Sequence, residues 1–345
     1  MTNSTSYWPK ASSFTFYCNS ASRVLDEIEP YVNSFAQNGI VVFKDAYFSE
    51  YDVLRILTKM GKQLGWTPNQ PGSEYETETA TPDSNHRSWK HVIRHAERVE
   101  ELELRGENFP TTQIIQWHLD GVAAEFQHYA AGWNMQKFTC SQECGSSGFV
   151  DMQEILFEVP NQYMSLLERS QICHLPIMRG LRTGDPQIKI EFAQLIKSMN
   201  SPVWVEYVDS YISAYPRPAI GIHPATGREV LRTDPTRAPW GIQEFLFSVD
   251  DRPPTEHEYE LFDNYLYWLD SYMHNMGDEF VYWHQWGPGD FIVPDLFRML
   301  HGVRGGFRDG ERIFNAYWCF PHGTPADNEL RISIEEYEAV SKARI

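Results

Sequence analysis

Gln116-Trp117-His118-Leu119-Asp120-Gly121 is the stretch on which the reading of this chain turns. As a β-strand it would point His118 and Asp120, two positions apart, to the same side. A histidine and a carboxylate so placed are part of a metal site. Taken alone, a buried structural ion pair is the commoner reading, since any strand can carry His-x-Asp.

The choice needs partners elsewhere, because two neighbours on one strand cannot surround an ion. Among twelve histidines, His301 stands out by position. It follows Trp286-Gly287-Pro288-Gly289-Asp290-Phe291-Ile292-Val293-Pro294-Asp295, a turn and then a strand, and it precedes Arg312 by eleven residues. Two histidines and a carboxylate on one face of a metal leave the opposite positions open, which is the donor set of non-haem iron(II) oxygenases. A guanidinium at 312 offers a rigid two-pronged donor to a carboxylate. An iron site with a carboxylate anchor beside it suggests an oxo-acid co-substrate.

The chain around these pieces has 345 residues, enough for a sizeable core. With 42% hydrophobic and 14% aromatic residues it is a folding sequence, not a disordered one. Its formal charge of −18 disfavours nucleic acid and anionic membrane surfaces as partners and leaves a small molecule as the expected one. Five scattered cysteines do not make a disulfide framework, and there is no apolar leader or eighteen-residue apolar run, so the expectation is a soluble cytoplasmic protein. Oligomeric state is left open.

From Ser22 to Asn38, Val24, Leu25, Ile28, Val32 and Phe35 recur at helical spacing, with Pro30 as a kink and Asn38-Gly39 as the stop. Ile40-Val41-Val42-Phe43 reads as a buried strand. Ser49, with Asp52 three residues on, opens a helix that carries Val53, Ile56, Leu57 and Met60 and ends at Gly61. Residues 67–112 are polar and broken by Pro and Gly, with a helical piece around Ser88 to Leu104, and read as a mobile lid near a pocket mouth. His91 and His95 would share a helical turn there, but no third ligand accompanies them and a solvated helix is preferred. Cys140 and Cys144 have no Cys-x-x-Cys partner, so free thiols are preferred to a zinc half-site.

Phe149 to Leu167 carries a strand end and a helix, and Pro218 to Leu231 a strand and a tight turn at His223–Arg228. Thr255 and Glu258 form a capping box for a helix whose Leu261, Phe262, Tyr265, Leu266, Leu269, Tyr272 and Met273 make one apolar face. Phe280 to Trp286, Asp290 to Val293 and Ile313 to Cys319 are strand-like. With no repeat and no linker, one domain over 1–345 is the economical reading, its core at about 20–325.

At this point the chain resembles the taurine dioxygenase-like family of iron(II)/2-oxoglutarate-dependent oxygenases. Trp117-His118-Leu119-Asp120 is similar to the family's W-H-x-D, and Trp286 to His301 to its W-x-P-G-D, D and H run. Arg312 stands where the family places its 2-oxoglutarate-binding Arg. Gly39 to Phe43 and Arg217-Pro218 to Leu231 are similar to two further family segments, so the likeness touches most of the chain.

The resemblance implies an α+β protein with a double-stranded β-helix (jelly-roll) core, flanking helices and a lid-like insertion. His118, Asp120 and His301 would hold iron(II), and Arg312 would bind the distal carboxylate of 2-oxoglutarate. Ser147, or Ser146 one residue away, would stand in for the family's Thr on that carboxylate. With O2, the product pair would be succinate and CO2, and a C–H bond of a small molecule would be hydroxylated, desaturated or cyclised, an amino acid or derived metabolite being the expected class. Related halogenases lack the carboxylate that Asp120 supplies here. Where the taurine enzyme has a second Arg, this chain has Ala316, sharing a strand face with Arg312 and Phe314. Gln116, on the face of His118, is a further substrate-contact candidate. The family's D-N-R is altered to Asp295-Leu296-Phe297. A metal- or ligand-binding β-barrel without turnover and a zinc hydrolase with the same ligands are the competing readings.

Overall fold

The computed structural model describes residues 11–68, 91–94, 117–120, 128–140, 143–174, 216–233 and 245–321, less 253, 309 and 310, together with four two-residue strands. In chain order these form β1 (Thr15–Tyr17), α1 (Ala21–Asp26), α2 (Glu29–Asn38), β2 (Ile40–Lys44), α3 (Glu50–Leu64), β3 (Trp66–Pro68), β4 (His91–Arg94), β5 (Ala130–Phe138) and β6 (Ser147–Asp151). There follow α4 (Met152–Glu158), α5 (Asn161–Leu167), β7 (Ser170–His174), β8 (Glu206–Tyr207), β9 (Ile212–Ser213), β10 (Pro216–Pro218), β11 (Ile220–Ile222), β12 (Glu229–Leu231), β13 (Arg237–Ala238), β14 (Gly241–Ile242) and β15 (Phe245–Val249). The chain closes with α6 (Glu256–Asn275), β16 (Tyr282–His284), β17 (Phe291–Pro294), β18 (Met299–Val303) and β19 (Arg312–Pro321).

Two sheets carry the site. The larger has seven strands in the order β1-β2-β17-β5-β19-β3, with β4 also on β19, and the smaller runs β16-β6-β18. Alternation along the strands assigns each face. Ile40, Val42, Ala131, Trp133, Met135, Ile292, Phe314 and Ala316 of the large sheet meet Phe149 and Met299 of the small one in a shared core. Val41, Phe43, Phe291 and Val293 turn the other way, under α1, α2 and α3. Val150 and Leu300 do the same on the small sheet, under α4, α5 and α6. Burial on both faces is why Ile40–Phe43 is a continuous apolar run rather than an alternating one.

Local signals hold well. Ser49 and Asp52 form the capping box of α3, Thr255 and Glu258 that of α6, and Gly39 ends α2 in the left-handed region at φ 69°. Three boundaries differ from expectation. Pro30 does not kink one helix but sits in the first turn of a second, α2, where its missing N–H costs nothing. Helix α3 runs through Gly61 and stops at Gly65, with φ 87°. Gly61 is kept inside the helix by close approach: a Cβ there would run into Trp66. Phe149 to Leu167 holds two helices, because Pro160 begins the second.

The helix expected around Ser88 to Leu104 is corrected at His91–Arg94, which is a strand paired antiparallel to β19. Edge groups of β19 offer that segment a ladder, and pairing overrides the local polar pattern. His91 is therefore not on a helical turn; His95 and the rest of 69–90 and 95–112, with the expected lid, lie outside the described residues. Among the described residues no helix is long and apolar enough to cross a membrane.

Candidate metal centre and anion pocket

His118 and His301 are held together by their own backbones. His118 N donates to His301 O at 2.9 Å and His301 N to His118 O at 3.0 Å, an isolated antiparallel bridge. Of Gln116–Gly121, read as a strand, 117–120 are described and His118 holds the bridge, while Gln116 and Gly121 lie outside the described residues. Residues exchanging both hydrogen bonds present their side chains on one face, and the two imidazoles lie 4.1 Å apart at 55°. Both aim Nε2 at one carboxylate: His118 at 3.5 Å from Asp120 Oδ1, His301 at 3.3 Å from Oδ2. A ligand atom from each of the three lies within 4.8 Å of the others.

Burial raises the Asp120 carboxyl, but the two histidines outweigh it and hold it well below the ordinary carboxylate range. Burial likewise pushes His301 down, and His118 adds to that. The set presents an ionised carboxylate and two imidazole nitrogens converging on one point, which fits a divalent cation with nitrogen and oxygen donors on one side.

Arg312, the first residue of β19, is buried. Its Nε donates to Gly145 O and its Nη2 to Ser147 Oγ, both at 2.9 Å, while Nη1 has no partner. Among the described residues no carboxylate is ion-paired with it, and burial alone depresses the guanidinium to about 9. It is a desolvated cation without a counter-charge, and the group that would complete it is an anion.

Ser147 completes the same pocket. Its Oγ accepts from Arg312 Nη2 and, at 3.0 Å, from Trp286 Nε1. With both lone pairs used, its own proton must be directed elsewhere. Ser146 instead turns its hydroxyl back to Glu143 O at 2.7 Å. Gly145 permits the approach: its φ is +64°, and a Cβ there would lie 3.1 Å from Arg312 Cδ.

An aromatic wall joins the two ends. The Phe314 ring lies 4.8 Å from the Arg312 guanidinium, Trp133 lies 5.8 Å from Phe314, and His301 lies 4.9 Å from Trp133. Phe314 and Ala316 are both buried, and Ala316 is the register partner of Trp133 across β19 and β5. Trp133 had no distinguishing sequence signal, because an aromatic on an apolar strand reads as core until the opposite sheet is in place.

Buried polar groups brace the frame. Asp290 accepts from Gly287 N and Lys44 Nζ and pairs with His284 at 3.2 Å, which orders the turn after Trp286. Burial pushes the His284 imidazole down to about 4. In the altered Asp295-Leu296-Phe297 segment, Asp295 caps the N–H of Phe297 and Arg298 and meets His223 Nε2 at 2.7 Å. Arg298 Nε reaches Asp151 at 2.9 Å, which ties the turn before β18 to the end of β6. Lys44 and Asp151 carried no spacing that would have singled them out for this, and in sequence His223 marks only the start of a turn.

The expectation of free thiols at Cys140 and Cys144 is corrected: the two are joined in a disulfide. The turn at Glu143–Gly145, with positive φ at both, brings their Cα atoms to 5.6 Å, within bonding reach. Glu311 also lies beside this pair, with Oε2 3.7 Å from Cys140 Sγ.

Compared with known proteins, residues 11–318 match the family described as taurine catabolism dioxygenase TauD, TfdA family. No curated protein matches. Among solved structures, a Burkholderia xenovorans protein provisionally named as an alpha-ketoglutarate-dependent taurine dioxygenase is similar at TM-score 0.51 and 13% identity, over 87% of this chain and 84% of that one. A taurine dioxygenase from the same organism gives 0.49 and 13%, over 88% and 82%. A protein named AAD-2, in complex with Mn(II) and N-oxalylglycine, gives 0.48 and 16%, over 88% of each chain.

Proposed function

The chain belongs to the taurine catabolism dioxygenase TauD, TfdA family, 2-oxoglutarate-dependent dioxygenases that use iron(II) and O2, and from that premise we propose that His118, Asp120 and His301 hold the iron while Arg312 and Ser147 take the distal carboxylate of 2-oxoglutarate. The observation that carries the assignment is Arg312: a buried guanidinium with two nitrogens anchored, one unpartnered, and no counter-charge among the described residues. Such a cation is costly alone and is relieved by an incoming carboxylate. The two facing sheets are read as the jelly-roll core of the family, within one oxygenase domain over 1–345, and Thr67–Pro68 and His91–Arg94 of the expected lid are strands of that core.

When bound, iron, 2-oxoglutarate and O2 supply the oxidising power that removes hydrogen from a substrate C–H bond, with succinate and CO2 released. The protein's part is positioning. The mutual His118–His301 bridge fixes both imidazoles before any ion arrives, Asp120 stays ionised, and the Ser147 proton and Arg312 Nη1 face one acceptor. Trp286 holds Ser147 in the orientation that frees its proton. The substrate is a small molecule, an amino acid or derived metabolite, whose side of the pocket is apolar at Phe314 and Ala316.

Anaerobic protein given iron(II) and 2-oxoglutarate should develop a visible charge-transfer band, and on admitting air it should release succinate slowly even without substrate. Absence of both refutes the assignment. Activity that survives under argon would instead favour zinc hydrolysis. A succinate-release screen over amino acids and metabolites, read by product mass, then identifies what is oxidised.

A further inference from the structure

We propose that Trp133 is a third co-substrate-binding group, its indole N–H donating to the oxo-acid end of 2-oxoglutarate; this rests on the assignment above and deepens it. Trp133 is buried on the inner face of β5, and its Nε1 has no hydrogen-bond partner. Native interiors rarely leave an indole N–H so, because the lost hydrogen bond with water is not replaced. Two other buried indoles keep the rule: Trp66 Nε1 donates to Leu57 O and Trp286 Nε1 to Ser147 Oγ, both at 3.0 Å. The Trp117 N–H is also unpartnered, but that ring belongs to the cluster under α4 to α6.

Position gives the Trp133 donor its meaning. The ring lies 4.9 Å from that of the metal-side His301, the two planes at 63°, and 5.8 Å from Phe314, whose ring is 4.8 Å from the Arg312 guanidinium. A diacid reaching from the triad to Arg312 runs along this wall. Arg312 Nη1 is desolvated and unpartnered at one end of it, and the Trp133 indole, whose Nε1 is also unpartnered, lies against His301 at the other. Donors at both ends match a ligand with a carboxylate at one end and an oxo-acid at the other. Ala316, wholly buried opposite Trp133, leaves the indole the room to sit there.

The test uses protein loaded with zinc(II), which is redox-silent and diamagnetic, so that binding is read without turnover. Trp133→Phe keeps the ring and removes the donor. Calorimetric titration should show 2-oxoglutarate bound about tenfold or more weakly, while succinate, which lacks the oxo-acid end, keeps its affinity within about twofold. In wild-type protein, the Trp133 indole N–H resonance, assigned by triple-resonance methods, should move downfield with 2-oxoglutarate and stay with succinate, a reading that does not depend on how well the variant folds. Unchanged 2-oxoglutarate affinity, equal weakening of both ligands, or an unmoved resonance overturns the role of Trp133. If wild-type protein binds no 2-oxoglutarate, the assignment of the pocket falls, and this proposal with it.

Discussion

Replacing Arg312 by Met should separate stability from binding, because the cation is expensive to the empty protein and necessary to the loaded one. Its guanidinium is depressed by burial from an ordinary 12.5 to about 9, which corresponds to roughly 5 kcal/mol of desolvation relieved when the charge is removed. Against this, Met forfeits the bonds to Gly145 O and Ser147 Oγ, each worth about 1.5–3 kcal/mol for a charged donor. The two sums nearly cancel. Urea denaturation of metal-free Arg312→Met should therefore lie within about 2 kcal/mol of wild type, by that same comparison. Co-substrate binding should behave quite differently, with a loss of about 2–5 kcal/mol, the cost of truncating one partner of a buried charged pair. Calorimetric titration of 2-oxoglutarate into zinc-loaded protein measures it. A variant that unfolds readily, yet binds 2-oxoglutarate normally when folded, would show that Arg312 is a structural cation and refute the reasoning.

Asp120→Ala removes the only carboxylate of the triad, and should abolish stoichiometric iron(II) uptake, measured by metal analysis after desalting, while metal-free stability is kept. Ser147→Ala should weaken 2-oxoglutarate binding by about 1 kcal/mol, roughly fivefold, and Ser147→Thr, which keeps the hydroxyl, should restore it. His284 titrates at about 4 in the folded protein and near 6.5 in an unfolded chain, so the unfolded state takes up this proton first. Its contribution is thus fully present above about pH 6.5 and drains as pH falls toward about 4, by about 3 kcal/mol in total. The melting temperature of His284→Asn should fall less steeply than that of wild type across this window.

Residue chemistry and local geometry were legible from sequence. Capping boxes at Ser49 and Thr255, the stop at Gly39, and the buried run Ile40–Phe43 are decided within a few residues by hydrogen bonds and periodicity, so local pattern suffices. The donor types of the site were legible too, through the order His118, Asp120, His301 and Arg312. Whether they meet was not, since a period of two assigns a face without saying what lies across from it.

What lies across was settled by register between distant segments. The backbone exchange between His118 and His301 turned an open choice into a converging donor set. The turn at Gly145 chose between two adjacent serines, aiming Ser147 at Arg312 and Ser146 back into its own loop, and it joined Cys140 to Cys144. Pairing with β19 made a strand of His91–Arg94 against its local pattern. Stacking of the two sheets set Trp133 between His301 and Phe314. Each outcome depends on hydrogen bonds or packing formed between residues far apart in the chain, where side-chain order carries no distance. Residue identity and order set which groups could do chemistry, and packing between distant segments chose which of them face one another.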